Sequence, residues 1–249
     1  MKLFLHELRA QIRLYGRNRE LAFFTFLLPL ILFFLLASSY GDDEIDGIPG
    51  HEYLVSGILG YGVVATTFFG LAIVLVIRRE NGILKRLQST PLPAPTFLVA
   101  ILSAFLFAFA LEGATLYGLA AAAYDVGAPD SPLSLVLAMA LGGVAFAGLG
   151  IGLTGLIRRE EGASAVLNAI YLPLLFISGA FFSKESFPGF VQAVADLLPL
   201  TYFIELIVAV TARGQEIWDR PTDVAVVAAW GLAGALLAVR TFRWTPYED

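Results

Sequence analysis

Six blocks of apolar residues, 21–39, 53–77, 97–123, 133–157, 163–182 and 223–240, are separated along the chain by short runs of polar and charged residues. Each is near the roughly 20 residues a helix needs to cross a hydrocarbon layer. No backbone amide can go unpaired in that solvent, so each block reads as a helix. The pattern predicts an all-α integral membrane protein: six spans in a single domain over 1–249. Ahead of the first block, residues 2–20 set Leu5, Leu8, Ile12 and Tyr15 on one helical stripe and Arg9, Arg13 and Arg17 on another. That is the pattern of an amphipathic helix lying in the membrane interface.

Composition agrees, at 58% hydrophobic and 15% charged residues. Threaded as six alternating spans with the N-terminus inside, the chain leaves 13 of its 16 Lys and Arg on one face. Basic residues are retained on the cytoplasmic side, which predicts a multi-pass protein of the cell (inner) membrane with both termini cytoplasmic. Only Lys184, Arg213 and Arg220 fall outside, while the first outer loop carries Asp42, Asp43, Glu44, Asp46 and Glu52 with no cation. The net charge of −5 therefore sums two unlike faces and implies no nucleic-acid partner. With no cysteine there are no disulfides or thiolate chemistry. His6 and His51 fall on opposite faces, which leaves no metal pair and no catalytic triad. No catalytic residue is expected.

Segment 198–212 is apolar but short, and Pro199 and Glu205 are expected to break it, so 183–222 reads as an outer re-entrant region. The sequence Ile-Arg-Arg-Glu-x-Gly closes the second and fourth spans alike, at 77–82 and 157–162, as a stop signal at two helix ends. Small residues in the fourth span, with Gly148 and Gly152 one turn apart, predict close helix packing within the chain.

The loop 78–95 carries the sharpest signal. Gly82 can end the second span in a left-handed cap, and Pro91, Pro93 and Pro95 prevent continuous helix into the third. Between them Ile83, Leu84 and Leu87 group on one side of a short helix, with Lys85 and Arg86 on the other. Such a helix is far below the roughly 12–15 residues that hold together alone in water. With no soluble domain in the chain to receive it, the socket is expected on a separate cytoplasmic protein.

Glu80-Asn81-Gly82-Ile83-Leu84-Lys85-Arg86-Leu87 followed by Ser89-Thr90-Pro91-Leu92 resembles the coupling helix of type-2 ABC exporter permeases. A second match, Ser178-Gly179-Ala180-Phe181-Phe182 with Phe187-Pro188 and Leu198-Pro199-Leu200-Thr201-Tyr202, is similar to the fifth span and outer helices of that family. Ser183 stands where Pro is common, and Ile207 and Val208 where an Arg often follows. The resemblance implies a transmembrane subunit, not an enzyme, that pairs with itself or a related permease. Separate cytoplasmic ABC ATPase subunits that bind ATP and Mg would drive it, and the substrate, exported outward, would be an amphipathic or hydrophobic drug, lipid or glycan. It also implies ATPase coupling through Glu80, Gly82, Ile83, Leu84, Lys85, Arg86 and Leu87, and an outer gate at Phe187, Pro188, Pro199 and Tyr202. None of the lysines, Lys2, Lys85 and Lys184, follows a Gly, so no phosphate-cradling loop exists here and no cofactor is expected on this chain.

Glu112 lies deep in the third span. An ionised side chain there costs about 3 kcal/mol, which ten Leu, Ile, Val and Phe in 98–118 offset at about 0.3 to 0.6 each. It reads either as a proton carrier or substrate contact, or as a protonated carboxyl bonded to a neighbouring helix. Tyr61, Thr66, Thr67 and Asn168 read equally as cavity-lining or helix-bonding groups. The alternative function is an ion-coupled secondary transporter or channel built on Glu112. A membrane assembly factor that transports nothing is a third reading.

Overall fold

A computed structural model describes residues 2–40, 44–182 and 184–247. Asp42, Asp43 and Ser183, singled out above, lie outside the described residues.

The chain is an all-α bundle. Helix α1 (Lys2–Arg17) ends at Asn18, and α2 follows over 19–40. Next come α3 (Gly50–Glu80), α4 (Ile83–Gln88), α5 (Ala94–Tyr124), α6 (Pro132–Thr154) and α7 (Glu160–Ile177). The short α8 (Gly189–Ala195) leads to α9 (Pro199–Ala212) and α10 (Pro221–Thr241). Among the described residues, α3, α5, α6, α7 and α10 are long and apolar enough to cross a membrane, and α2 contributes a shorter apolar stretch, Phe23–Ser39. The β structure among the described residues is a two-residue ladder, β1 (Glu44–Ile45) on β2 (Ile48–Pro49). Asp46 and Gly47 close it with φ of 52° and 72°. An Asp-Gly pair favours this tight hairpin turn, a signal that the all-helical reading passed over.

Helix α3 is the axis: 72% of its most apolar stretch is buried, against 22% for α7 and 17% for α10. Around it pack α2, α5, α6 and α9. The closest helix pair is α6 on α10. A methyl group added at Gly234 would sit 2.5 Å from the Leu149 nitrogen, and one at Gly152 2.9 Å from the Gly234 carbonyl oxygen. Gly148 and Gly152 thus serve packing within the chain, backbone on backbone, and Thr241 reinforces the pair by donating to the Gly152 carbonyl at 2.8 Å.

The region before α10 differs from expectation. Pro199 occupies the first turn of α9, where its missing N–H costs nothing. The helix then runs unbroken through Glu205 and buries Leu200, Phe203, Ile204 and Ile207. Glu205 is a tie rather than a breaker: it accepts from Lys184 at 3.2 Å and pairs with Arg220 at 3.5 Å. Lys184 also meets Asp196 at 2.9 Å, and Arg220 meets Asp223 at 2.6 Å. Burial alone would lower the Lys184 ammonium, but its two carboxylate partners hold it above the ordinary lysine value. Lys184 and Arg220 are therefore anchored to the end of α8, to α9 and to α10. Helices α8 and α9 meet at 84°, a sharply bent hairpin.

Where a span over 163–182 was expected, α7 stops at Ile177. Gly179 turns the chain with φ of 85°, and its carbonyl accepts from the Tyr53 hydroxyl at 2.7 Å.

Gly234→Ala places its methyl against backbone that no rotamer change can clear, so it should cost roughly 1–3 kcal/mol. Thermal unfolding in detergent reads this as a lowered Tm. Gly162→Ala, with open space around it, should leave Tm unchanged or slightly raised.

Candidate functional site

Two features at the end of the bundle where α3 meets α4, and one along its side, make up the candidate site. The first is the short helix α4. Gly82 takes the expected left-handed conformation, φ 67°, and reverses the chain out of α3. Ile83 is 40% exposed, Lys85 and Arg86 are exposed, and Leu84 is fully buried. Leu84 joins Leu71, Leu75, Phe97 and Ile101 in a core cluster, with Leu87, Phe242 and Trp244 packed against it. This corrects the expected external socket: the ends of α3 and α5 and the segment after α10 receive the apolar side of α4 themselves. A six-residue helix needs only a few large side chains to hold it, and the aromatic residues at 242 and 244 lay too far along the sequence to be recognised as that wall. The outward face of α4 keeps Ile83, Lys85 and Arg86. The Arg86 guanidinium folds back on the Asn81 carbonyl at 3.0 Å, which closes the turn.

The second feature is Arg79, 1% exposed. It donates to the carbonyls of Thr154 at 2.8 Å and Ile157 at 2.5 Å and pairs with Glu80 at 3.0 Å. Tyr247 lies between two guanidinium groups, 5.0 Å from Arg79 and 4.5 Å from Arg243, and its hydroxyl donates to the Gly155 carbonyl. Arg79 thereby caps the exposed carbonyl end of α6. The repeated Arg-Arg-Glu motif does not act twice in the same way. Helix α6 ends at Thr154, and Arg158 and Arg159 lie in an extended link, Arg159 at φ −127° and ψ 148°. The carbonyls that a second pair would have served are already taken by Arg79. Across this junction Asn81 donates to Glu160 at 3.4 Å, joining the α4 turn to the start of α7.

The third feature is a cavity of about 730 Å³ on one side of the bundle, bounded by α2, residues 61–77 of α3, and α7. Both flanking walls carry a π-helical turn, Phe23–Leu27 in α2 and Val64–Gly70 in α3. Phe24, Thr25, Ala65 and Phe69 from those turns face the space. Such turns widen a helix locally and occur often at functional sites.

The residues expected along a substrate path divide. Tyr61 and Asn168 line the cavity, Tyr61 with its ring 6.1 Å from that of Tyr171. Thr66, Thr67 and Glu112 do not. Glu112 is 4% exposed, accepts from Thr66 Oγ1 at 3.1 Å and fills the place where Gly62 lacks a side chain. Thr67 donates to the Val63 carbonyl of its own helix at 2.6 Å. Of the expected gate residues, Phe187 and Pro188 lead into α8, Pro199 opens α9, and the Tyr202 hydroxyl donates to the Asp196 carbonyl at 2.9 Å. The Tyr202 bond ties α9 to the end of α8, and all four residues stand apart from the cavity wall, which Phe181 and Phe182 join. Sequence reasoning missed Asn18, Glu20, Ser164 and Tyr171 on that wall. The helical spacing of Ser164 and Asn168 was the available signal.

Leu84→Asp should place an unpaired carboxylate in the core and cost about 3 kcal/mol or more. Loss of the monodisperse peak on size exclusion in detergent measures it. Arg79→Ala, which leaves two buried carbonyls without a donor, should lower Tm by a step of roughly 1–3 kcal/mol.

Comparison with known proteins follows the same line. The sequence model of the ABC-2 type transporter family matches residues 2–211. The chain is 22% identical over 195 residues to the putative transport permease YvfS of Bacillus subtilis, covering 78% of this chain and 79% of that one. It is 27% identical over 158 residues to the probable multidrug ABC transporter permease YbhS of Escherichia coli K12, covering 61% of this chain but 41% of that one. Nodulation protein J of Rhizobium meliloti is 28% identical over 182 residues, 72% of this chain and 69% of its own length.

Proposed function

The chain belongs to the ABC-2 type transporter family and is a multi-pass membrane transport subunit, and on that footing we propose that it couples ATP hydrolysis on a separate cassette subunit to outward movement of an amphipathic or hydrophobic substrate. The observation that carries the reading is the two-sided α4 helix. Leu84 fixes it to the ends of α3 and α5, while Ile83, Lys85 and Arg86 remain outside for a partner. A load applied to that outer face passes into the bundle without first being lost in a flexible loop.

Its route onward is short. Helix α3 supplies Tyr61, Ala65 and Phe69 to the cavity wall, and α7, held to the α4 turn through Asn81 and Glu160, supplies Asn168 and Tyr171. Movement of α4 as a rigid body shifts both walls together, which is the shear that alternates access between the two faces. The cytoplasmic position of α4 and of both termini follows from the distribution of Lys and Arg. Pairing with a second permease, itself or a relative, belongs to the same proposal. So do ATP and Mg on the partner ATPase, with Glu80 and Gly82 setting the angle at which α4 leaves α3.

The ion-coupled alternative needs Glu112 to reach a conduction path, and its geometry favours a structural bond to Thr66 instead. Glu112→Gln should therefore preserve transport of whatever substrate is assayed, within about twofold, at all external pH values tested. A loss of transport with retained folding would revive the alternative.

The coupling reading is tested by Lys85→Glu with Arg86→Glu. Both side chains are exposed, so folding should change by no more than about 0.5 kcal/mol. Capture of the ATPase subunit from solubilised membranes, and transport-linked ATP hydrolysis, should both be lost. Capture and coupled turnover at the unaltered level would reject the docking face.

A further inference from the structure

The cavity wall changes character along its length. At its inner end, beside Ile77, stand Asn18, Glu20, Ser164 and Asn168; from there outward it is apolar and aromatic, with Phe24, Phe69, Tyr171 and Phe176 facing the space. Among the described wall residues Glu20 is the only charged one. Arg17, at the end of α1, and Arg19 are absent from the wall. The chain places thirteen of its cations near this face, yet none of them enters the cavity.

We propose that this cavity binds amphiphiles whose polar end is a cation, with the charged group beside Glu20 at the inner mouth and the apolar body among the aromatic side chains. The inference rests on the cavity being the substrate path and adds the sign of the charge it accepts. Three physical effects favour a cation. The Glu20 carboxylate attracts it directly, and the faces of Phe and Tyr rings carry the negative end of a quadrupole that attracts it again. A wall without Lys or Arg offers an anionic headgroup no opposite charge to offset the water it loses. The amides of Asn18 and Asn168 and the Ser164 hydroxyl complete a polar rim. An anionic sugar phosphate or lipid phosphate would meet a carboxylate where it needs a donor.

The test uses two ions of matched size and shape and opposite charge, tetraphenylphosphonium and tetraphenylborate, in equilibrium dialysis against the purified full chain in nanodiscs of neutral lipid. Empty nanodiscs give the partitioning background. Tetraphenylphosphonium should bind saturably and the borate at least about fivefold more weakly, the span of one exposed charge pair. Glu20→Gln should remove most of that preference, and Glu20→Lys should reverse it. Glu20 is exposed, so both variants keep the fold. Ala65→Trp, which projects an indole ring into the cavity, should weaken saturable binding of both ions. Equal binding of the two ions, tighter binding of the borate, or a preference that survives Glu20→Gln would overturn the proposal. The assay contains no ATPase, so it is independent of the docking face. If neither ion binds while ATPase capture through Lys85 and Arg86 persists, the cavity assignment falls and the coupling reading stands.

Discussion

One buried guanidinium organises the end of this protein where α3 meets α4. A charge removed from water must be matched by partners that replace its hydration, and Arg79 has them: the Thr154 and Ile157 carbonyls, the Glu80 carboxylate and the face of Tyr247. The same contacts fix the end of α6 relative to the end of α3. That in turn sets where α7 begins and how α4 lies against the core. Without this pin, α4 would be a short helix on a hinge; with it, α4 is an extension of the bundle.

The packing elsewhere divides the molecule into a tight half and an open half. Small residues let α6 and α10 touch backbone to backbone, and α9 presses Phe203 and Ile204 into the spaces left by Gly142 and Gly60. On the other side, α2 and α7 lean on α3 without such contacts, and Phe24, Leu172 and Phe176 remain largely exposed. Steric fit thus accounts for both the rigid frame and the cavity: where glycine admits a neighbour the helices close, and where large side chains meet they stand apart. The charged ties among Lys184, Asp196, Glu205 and Arg220 join the α8–α9 hairpin to the segments on either side of it.

Much of this was legible in the sequence because lipid imposes a simple rule. An apolar block of helical length has one way to satisfy its backbone, so the long helices, the left-handed Gly82 and the short helix after it follow from local pattern. Contacts between distant segments were not legible. Nothing near Leu84 in sequence announces Phe97, Phe242 and Trp244, and nothing near Arg79 announces the carbonyls at 154 and 157. The bond that satisfies Glu112 is likewise 46 positions away. Glu205 misled for a related reason: a carboxylate inside an apolar run argues for a break until its partners, Lys184 and Arg220, are brought alongside by the fold.

Helices α3 and α5 each contain 31 residues, and at about 1.5 Å per residue each is roughly 46 Å long against a hydrocarbon layer of about 30 Å. A third of each rod must stand outside the apolar slab or tilt steeply within it. Under the proposed load on α4 the membrane would act as a fulcrum: a small sideways displacement of the protruding arms would turn into an opposite swing at the far ends. The excess length gives the bundle leverage that spans of matched thickness would lack.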